Sequence, residues 1–218
     1  MERDNTILIT GASGLLGRSL TVRLEAVGNV VAAGFSDLAA GLFPVDLRDG
    51  EALKGLMKEA KPDIVVHSAA YRDPDFCEVN PEEAFRLNVA PVARFCELLA
   101  ETVPLLFISS DYVFEGTAAP YREEDERRPV NEYGRLKVEA EDHVLQRSAG
   151  LVLRIPLLIG AGPTWESSGF VFKTVAQIRD PTPSSLDHVG VRFPTWTNDV
   201  AEAVAHLLGV EGLSLIHI

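Results

Sequence analysis

Two residues at Tyr-x-x-x-Lys spacing, Tyr133 and Lys137, are suited to redox chemistry on a carbonyl group. If residues 131–148 form a helix, these two side chains lie one turn apart on the same face, so the phenol and the ammonium can act together. A tyrosine ordinarily titrates near ~10, and a nearby cation lowers that pKa toward the range where proton exchange is easy. The pair therefore predicts a proton donor for carbonyl reduction.

A glycine-rich turn, Gly11-Ala-Ser-Gly14-Leu-Leu-Gly17, follows the first predicted strand and opens the first predicted helix. Glycines let the backbone approach a pyrophosphate, whose charge then faces the helix N-terminus. A glycine triplet on its own is often only a tight turn. Here it follows a predicted strand, and the same chain contains the Tyr/Lys pair, so a dinucleotide site is favoured. The predicted ligands in the turn are Gly11, Ser13, Gly14, Leu15, Leu16, Gly17 and Arg18.

The end of the second predicted strand bears on which dinucleotide binds. Phe35 stands where an acid usually hydrogen-bonds the ribose 2'-hydroxyl and repels a 2'-phosphate. Arg18 and Ser36 can instead contact that phosphate, so NADP(H) is favoured and NAD(H) is the alternative. Two alternatives stay open: Arg18 as an ordinary exposed residue of the helix, and Asp37 as a ligand of the ribose. At the adenine edge the predicted contacts are Asp46 and Leu47, although an ordinary loop aspartate would look the same.

Alternating strand and helix patterns must position these residues. The predicted strands are 6–10, 29–35, 63–68, 105–109 and 151–155, and the predicted helices are 15–27, 51–60, 81–101 and 131–148. Strands that alternate with helices imply right-handed crossovers and a parallel sheet covered on both faces. The predicted fold is therefore α/β, a Rossmann-type doubly wound parallel sheet.

The pattern weakens after Pro156, where glycines and prolines punctuate two predicted helices, 169–178 and 197–208. We therefore predict an NADP-binding Rossmann domain over residues 1–156 and a partial, smaller substrate-binding region over residues 157–218. The last residues, 213–218, form an apolar tail that is expected to be exposed, with no element to pack on. Either the protein is truncated or this tail is not native to it.

Composition limits the classes of function. The 218 residues, 46% of them hydrophobic, suffice for one α/β domain and part of a second. A formal charge of -12 argues against a nucleic-acid or anionic-membrane surface. With no long apolar run, no signal peptide and two unpaired-looking cysteines, Cys77 and Cys96, a cytoplasmic protein is expected. His67 and His143 lack partners at metal-ligand spacing, so no metal is expected.

Together these motifs resemble the extended short-chain dehydrogenase/reductases. The resemblance covers nearly the whole chain, and it is carried by Gly11-x-x-Gly-x-x-Gly17, Ser109-Ser-Asp-Tyr-Val-Phe-Glu-Gly116 and Tyr133-Gly-Arg-Leu-Lys137. Within that class, Asp111-Tyr-Val-Phe-Glu-Gly-Thr117 with Pro120-Tyr-Arg-Glu-Glu-Asp125 is similar to the dTDP-4-dehydrorhamnose reductase branch. The same stretches are similar to a relative of those reductases, the regulatory beta subunit of methionine adenosyltransferase.

The resemblance implies roles for individual residues. Tyr133 would donate a proton to the substrate carbonyl, Lys137 would support it and bind the nicotinamide ribose, and Ser110 would bind the same carbonyl oxygen. Hydride arriving at the carbon builds negative charge on that oxygen, which these groups stabilise. The resemblance also places three residues along the cofactor: Ala69, Ala70 and Asn88. Asn88 fits equally well as an interior amide that bonds the backbone.

Two functions from different classes follow from the resemblance. The first is an NADPH-dependent reductase of a nucleotide-linked 4-keto-6-deoxy sugar. The second is a non-catalytic NADP-binding subunit that contacts a methionine adenosyltransferase and has inherited the reductase residues. Arg192 is a candidate contact for the sugar or its diphosphate, although pairing with Asp187 or Asp199 is equally plausible. A homodimer is expected only by analogy with similar sheets.

Overall fold

A seven-stranded parallel sheet forms the centre of the molecule in the computed structural model, which describes residues 5–36, 41–162, 169–182, 192–209 and 215–217. The strand order is β3-β2-β1-β4-β5-β6-β9, and every pairing is parallel. These strands are β1 (Thr6–Thr10), β2 (Asn29–Gly34), β3 (Phe43–Pro44), β4 (Ile64–His67), β5 (Leu105–Ser110), β6 (Gly150–Ile155) and β9 (Leu215–His217). A separate parallel pair joins β7 (Leu158–Ile159) to β8 (Thr195–Trp196).

Helices connect the strands and cover both faces of the sheet. They are α1 (Leu15–Leu24), α2 (Gly50–Ala60), α3 (Pro74–Val79), α4 (Pro81–Asn88), α5 (Ala90–Leu98), α6 (Glu132–Leu145), α7 (Phe170–Arg179) and α8 (Thr197–Leu207). A 3-10 turn, Asp111–Val113, follows β5 directly. The predicted Rossmann-type doubly wound α/β fold is confirmed.

Two hydrophobic clusters, one on each face, hold the sheet between its helices. Ile7 and Ile9 of β1 pack in the cluster that contains Leu20 of α1, whereas Leu8 packs with Phe95 of α5 in the other cluster. Because neighbouring strand residues point to opposite faces, a strand buried on both sides is apolar along most of its length. This is why β1, β4 and β5 contain apolar runs, and why their buried polar residues lie mainly at the carboxyl ends.

The long helix predicted over residues 81–101 is wrong. The structure instead contains α4 and α5, with Val89 between them at φ -120° and ψ -54°. Pro91 lies in the first turn of α5 and has no backbone N–H, so it cannot make the bond that would continue α4 through this point. The structure also contains α3 and the short strand β3, which are not predicted from the sequence.

The last helix packs on the same core as the first. Val200 and Val204 of α8 belong to the cluster that contains Leu20, and the Ser19 hydroxyl donates a hydrogen bond to Thr197 Oγ1 at 3.0 Å. α8 lies within the region predicted to bind substrate, so part of that region contributes to the core of the sheet. The division at residue 156 stays a prediction.

Leu215–His217 pairs in parallel with β6, in contrast to the expectation that the apolar tail has no element to pack on. An edge strand offers unpaired N–H and C=O groups to any apolar segment that reaches it. In the described residues, no helix is long and apolar enough to cross a membrane, and no group of three or more His, Cys, Asp or Glu side chains could hold a metal ion.

Candidate active site

The glycine turn lies at the carboxyl end of β1, where it leaves no room for side chains. Gly11 has a φ of +70°, and a Cβ there would lie 2.7 Å from the backbone nitrogen of Ala69. A Cβ on Gly17 would lie 2.1 Å from the carbonyl oxygen of Gly11. No side chain caps α1 at Gly14, which leaves the N-terminus of this helix to an external anion. The backbone of this turn fits a pyrophosphate.

The loop after β4 forms the next wall of the site, and Asn88 holds it in place. Asn88 Oδ1 accepts a hydrogen bond from the Tyr71 N–H at 2.8 Å, and Asn88 Nδ2 donates to the Tyr71 carbonyl at 2.9 Å. The side chain is therefore an interior amide that bonds the backbone, one of the two predicted readings. Ala69 lies against Gly11, as its predicted place beside the cofactor requires. Direct contacts of Ala69, Ala70 and Asn88 with a cofactor stay predictions.

Arg48, in the segment between β3 and α2, was not predicted from the sequence, and it organises the predicted adenosine end of the site. Arg48 Nη2 lies 2.7 Å from Asp46 Oδ2, Arg48 Nη1 lies 2.9 Å from the Tyr71 hydroxyl, and the same group is paired with Glu83. The hydrogen bond from Arg48 holds the pKa of the Asp46 carboxyl below its usual range. The Arg48 guanidinium also lies 5.0 Å from the centre of the Phe35 ring. The Asp46-x-Arg48 spacing was the available signal for this cluster.

The residues proposed for the 2'-phosphate lie on two different elements. Arg18 is half-buried in α1, and Ser36 is exposed just beyond β2. Ser13 packs over the end of β2, because a Cβ on Gly34 would lie 3.2 Å from Ser13 Oγ. Asp37, the alternative ribose ligand, lies outside the described residues. The assignments of Ser13, Leu15, Leu16, Arg18, Ser36, Asp46 and Leu47 to the cofactor stay predictions.

The three predicted catalytic residues are brought together between β5 and α6. Ser110 is the last residue of β5, and Tyr133 and Lys137 lie one turn apart in α6. Asn131 caps this helix by accepting a hydrogen bond from the Gly134 N–H at 2.8 Å. The Ser110 hydroxyl lowers the pKa of Tyr133, and its Oγ donates a hydrogen bond to Asp111 Oδ1 at 3.1 Å. The sequence therefore predicted a cluster that the fold assembles.

The segment after β5 packs directly on the start of α6. A Cβ on Gly134 would lie 2.2 Å from the Tyr112 carbonyl oxygen, so only glycine permits this approach. The Tyr112 ring meets the Tyr133 ring edge to face, with 5.5 Å between centroids. Arg192 Nη1 lies 3.3 Å from the Tyr112 hydroxyl, and Asp187, one of its predicted partners, lies outside the described residues. Arg192 therefore approaches the cluster through Tyr112.

Burial governs the ionisation of Tyr133 and Lys137. It raises the pKa of the Tyr133 phenol above its ordinary value, and the opposing effect of the Ser110 hydroxyl offsets only part of that rise. Burial also lowers the pKa of Lys137 to about 8, against the smaller opposing effect of the Glu141 carboxylate. The sequence predicts a phenol acidified by Lys137, whereas in this structure burial is the largest effect on the Tyr133 pKa and raises it.

Lys137 is anchored to the sheet rather than free. Its Nζ donates to the Ile108 carbonyl at 2.9 Å and lies 4.5 Å from the centre of the Phe107 ring. The Tyr133 ring centre is 5.8 Å from the same nitrogen. Through these contacts the backbone of β5 fixes the ammonium beside the phenol ring.

His67 is a core histidine, as expected. It is completely buried, its Nδ1 lies 2.7 Å from Thr10 Oγ1, and its ring stacks near Phe107 with 5.9 Å between centroids. Burial, together with the smaller effect of the Lys137 charge, lowers the pKa of His67 to about 3. The imidazole is therefore neutral at physiological pH and gives no signal of catalysis.

A Ser-Tyr-Lys cluster beside a glycine turn, at the carboxyl ends of a doubly wound parallel sheet, places this chain among the extended short-chain dehydrogenase/reductases. Within that class, the family profile described as the RmlD substrate binding domain matches residues 5–214. The chain belongs to this family.

Two curated relatives have different activities in their names. The chain is 38% identical over 207 residues to methionine adenosyltransferase 2 subunit beta of Bos taurus, covering 94% of this chain and 62% of that protein. It is 36% identical over 219 residues to the probable low-salt glycan biosynthesis reductase Agl14 of Haloferax volcanii, covering 94% of this chain and 71% of that protein. The chain thus spans less than two thirds of the bovine relative.

Solved structures share the fold. A dTDP-4-dehydrorhamnose reductase from Clostridium acetobutylicum superposes with a TM-score of 0.83 at 28% identity, covering 98% of this chain and 73% of that one. MoeE5 in complex with UDP-glucose and NAD superposes with a TM-score of 0.83 at 25% identity, covering 98% of this chain and 75% of that one. The similarity to both covers almost all of the present chain.

Proposed function

We propose that this chain is part of an NADPH-dependent reductase that acts on a nucleotide-linked 4-keto-6-deoxy sugar. The observation that carries the proposal is the cluster of Ser110, Tyr133 and Lys137, all three of which are buried. The names of two similar proteins, a dTDP-4-dehydrorhamnose reductase and a glycan biosynthesis reductase, support a reductive role.

The residues that would hold the cofactor fit it sterically. Gly11 and Gly17 leave a backbone surface that a Cβ would fill, and the uncapped start of α1 is suited to the pyrophosphate. Arg18 and Ser36 are our candidates for the 2'-phosphate, so NADP(H) is favoured over NAD(H), the cofactor bound in MoeE5. When bound, the nicotinamide supplies the hydride.

The protein's own groups manage the proton and the charge on oxygen. The raised pKa of Tyr133 keeps the phenol protonated at neutral pH, so the proton to be donated is present, but it also makes that donation harder. Lys137 is a cation below about pH 8, and its bond to the Ile108 carbonyl keeps that charge beside the phenol. Ser110 is the second donor to the carbonyl oxygen when its hydroxyl turns from Asp111 Oδ1, to which it donates at 3.1 Å in the structure.

The test is to mix the full-length protein with NADPH and a dTDP-4-keto-6-deoxy sugar and to follow nicotinamide absorbance. We expect oxidation of NADPH by the wild type, and a rate lower by about 10² to 10⁴ for Tyr133→Phe, which loses the proton donor. The variant should still bind NADPH, as measured by nicotinamide fluorescence. If the wild type oxidises no NADPH with this substrate, the proposed reaction is wrong.

The cofactor assignment has a separate test. The ratio of NADPH to NADH affinity should fall in Arg18→Ala, because the variant lacks the cation that we assign to the 2'-phosphate. An unchanged ratio would remove Arg18 from the phosphate site without affecting the proposed reaction.

The second candidate function is a non-catalytic, NADP-binding subunit of methionine adenosyltransferase. It is favoured by the 38% identity, over 94% of this chain, to methionine adenosyltransferase 2 subunit beta. On this hypothesis the protein co-purifies with a methionine adenosyltransferase catalytic subunit and changes its kinetics on mixing. Failure to associate would exclude the hypothesis. A cytoplasmic location and a homodimer remain proposals, which fractionation and light scattering can examine.

A further inference from the structure

A buried ionic cluster lies directly behind the catalytic residues. Arg154 of β6 binds Glu141 of α6 through two parallel hydrogen bonds, Nε to Oε1 at 2.9 Å and Nη2 to Oε2 at 2.8 Å. Ser109 of β5 donates to Glu141 Oε1 at 2.6 Å. Glu141 is completely buried and Arg154 is 2% exposed. We call these three residues the Glu141 clamp.

The clamp extends the contacts that join α6 to the end of β5. Two side chains one turn apart on α6 contact neighbouring residues of β5: Lys137 donates to the Ile108 carbonyl, and Glu141 accepts from Ser109. One turn earlier on the same helix is Tyr133, whose pKa is lowered by the next strand residue, Ser110. The clamp therefore fixes the strand residue that immediately precedes Ser110.

Arg154 also ties the segment after β5 to the sheet. Its guanidinium lies 5.1 Å from the centre of the Phe114 ring, and that ring stacks on Tyr121 with 4.3 Å between centroids and 2° between planes. Arg154 Nη1 donates to the Glu123 carbonyl at 3.0 Å. Because the same segment carries Tyr112, which packs on Tyr133, Arg154 restrains both sides of the catalytic tyrosine.

A buried ion pair is a poor source of stability, because desolvation of both charges offsets their attraction and apolar side chains of similar size often stabilise as well or better. The two parallel hydrogen bonds of such a pair do, however, fix the orientation of the two side chains and the distance between them. We infer that Glu141 is a positioning residue which, held by Arg154 and Ser109, keeps Ser110, Tyr133 and Lys137 in one catalytic geometry. This inference rests on the proposed reductase function.

Glu141 also acts on the charge of Lys137. The titratable groups around Lys137 are His67 on β4, Cys77 on α3, and Tyr133 and Glu141 on its own helix. The Glu141 carboxylate raises the pKa of Lys137 against the lowering effect of burial. Replacing Glu141 with a neutral residue should therefore cause Lys137 to lose its proton at a lower pH.

Three variants test the inference, and a neighbouring carboxylate gives the matched control. Ser109→Ala breaks the link between the clamp and β5 without leaving a buried charge unpaired. The double variant Glu141→Met with Arg154→Met replaces both members of the buried ion pair with apolar side chains of similar size. Glu141→Gln tests the charge. The control is Asp142→Asn, because Asp142 is half-exposed on the same helix and pairs with Arg127, which also contacts Glu141.

We expect kcat to fall by about tenfold to a hundredfold in Ser109→Ala and in the double variant, because small displacements of reacting groups are costly. KM for the dinucleotide should change little, since the glycine turn is untouched. In Glu141→Gln, the alkaline limb of the pH profile of kcat should move to lower pH. Asp142→Asn should keep the wild-type kcat and pH profile.

A merely structural clamp would give a different result. If Ser109→Ala and the double variant lose thermal stability but keep the wild-type kcat and pH profile below their melting temperatures, the inference is overturned. If the wild type itself has no reductase activity, the proposed function fails first. NMR titration of the Lys137 side chain then decides about the clamp: a shifted titration in Ser109→Ala and Glu141→Gln supports positioning, and unchanged curves overturn it.

Discussion

Lys137→Met should make the protein more stable at neutral pH while removing a catalytic group. Burial lowers the pKa of Lys137 from 10.5 to about 8, so the folded state holds the proton less tightly than the unfolded chain does. At ~1.4 kcal/mol per pKa unit, keeping the charge buried costs about 3 kcal/mol below pH 8. Methionine has a similar shape and no charge, so the variant avoids this cost.

The sign of the effect depends on pH. Below about pH 8 both folded and unfolded chains are protonated at Lys137, and the full cost is present. Between about 8 and 10.5 the folded state is neutral while the unfolded chain still binds the proton, so the wild type gains stability relative to the variant. The variant also loses the hydrogen bond to the Ile108 carbonyl, which contributes roughly 1 kcal/mol.

The expected result is a variant more stable by about 2 kcal/mol at pH 7 and by roughly nothing at pH 10. Urea denaturation of both proteins at the two pH values measures this difference. Lys58→Met is the control, because Lys58 is exposed on α2 and its replacement should change stability little at either pH. A Lys137→Met protein that is less stable than the wild type at pH 7, or a difference independent of pH, would refute the reasoning.

Two further predictions concern the glycine turn and the core histidine. Gly17→Ala should weaken dinucleotide binding by more than about tenfold and destabilise the fold by roughly 1–3 kcal/mol, because its Cβ would lie 2.1 Å from the Gly11 carbonyl oxygen. Gly55→Ala, at an exposed helix position with open space around it, should instead stabilise by about 0.5–1 kcal/mol, and equal effects of the two changes would contradict the steric argument. Because the pKa of His67 falls from 6.5 to about 3, the folded protein should lose stability as the pH falls below 6.5. Between pH 7 and ~4.5 the free energy of unfolding of the wild type should fall by about 3 kcal/mol more than that of His67→Gln, as measured by denaturation. An equal change in the two proteins would show that His67 accepts a proton in the folded state.

Local patterns in the sequence were sufficient for most of the elements. The apolar runs of β1, β4, β5 and β6 identify strands because a doubly covered sheet buries both faces of each strand. Prediction failed at Val89, where the helical pattern continues although Pro91 interrupts the backbone hydrogen bonding. It also failed at β3, whose two residues are too few for any periodicity to be visible.

Part of the candidate site could also be predicted from local sequence patterns. Tyr133 and Lys137 were recognisable because both lie on one helix, where spacing alone predicts a shared face. The Glu141–Arg154 pair was not recognisable, because its partners lie on different elements and meet only through the register of Ser109 with Arg154 between β5 and β6. The contacts of Arg48 could not be predicted for a similar reason, because its partners Glu83 and Tyr71 lie on α4 and in the loop after β4.

The sequence by itself determined which chemical groups are present and where helical spacing aligns them: the glycines of the turn, Ser110, and the Tyr133–Lys137 pair. Only the tertiary structure decided how those groups ionise. Side-chain identity predicted a phenol acidified by a neighbouring cation, but burial raises the pKa of Tyr133 and lowers that of Lys137 to about 8. Desolvation depends on everything packed around a group, and that packing comes from strands and helices far apart in the chain.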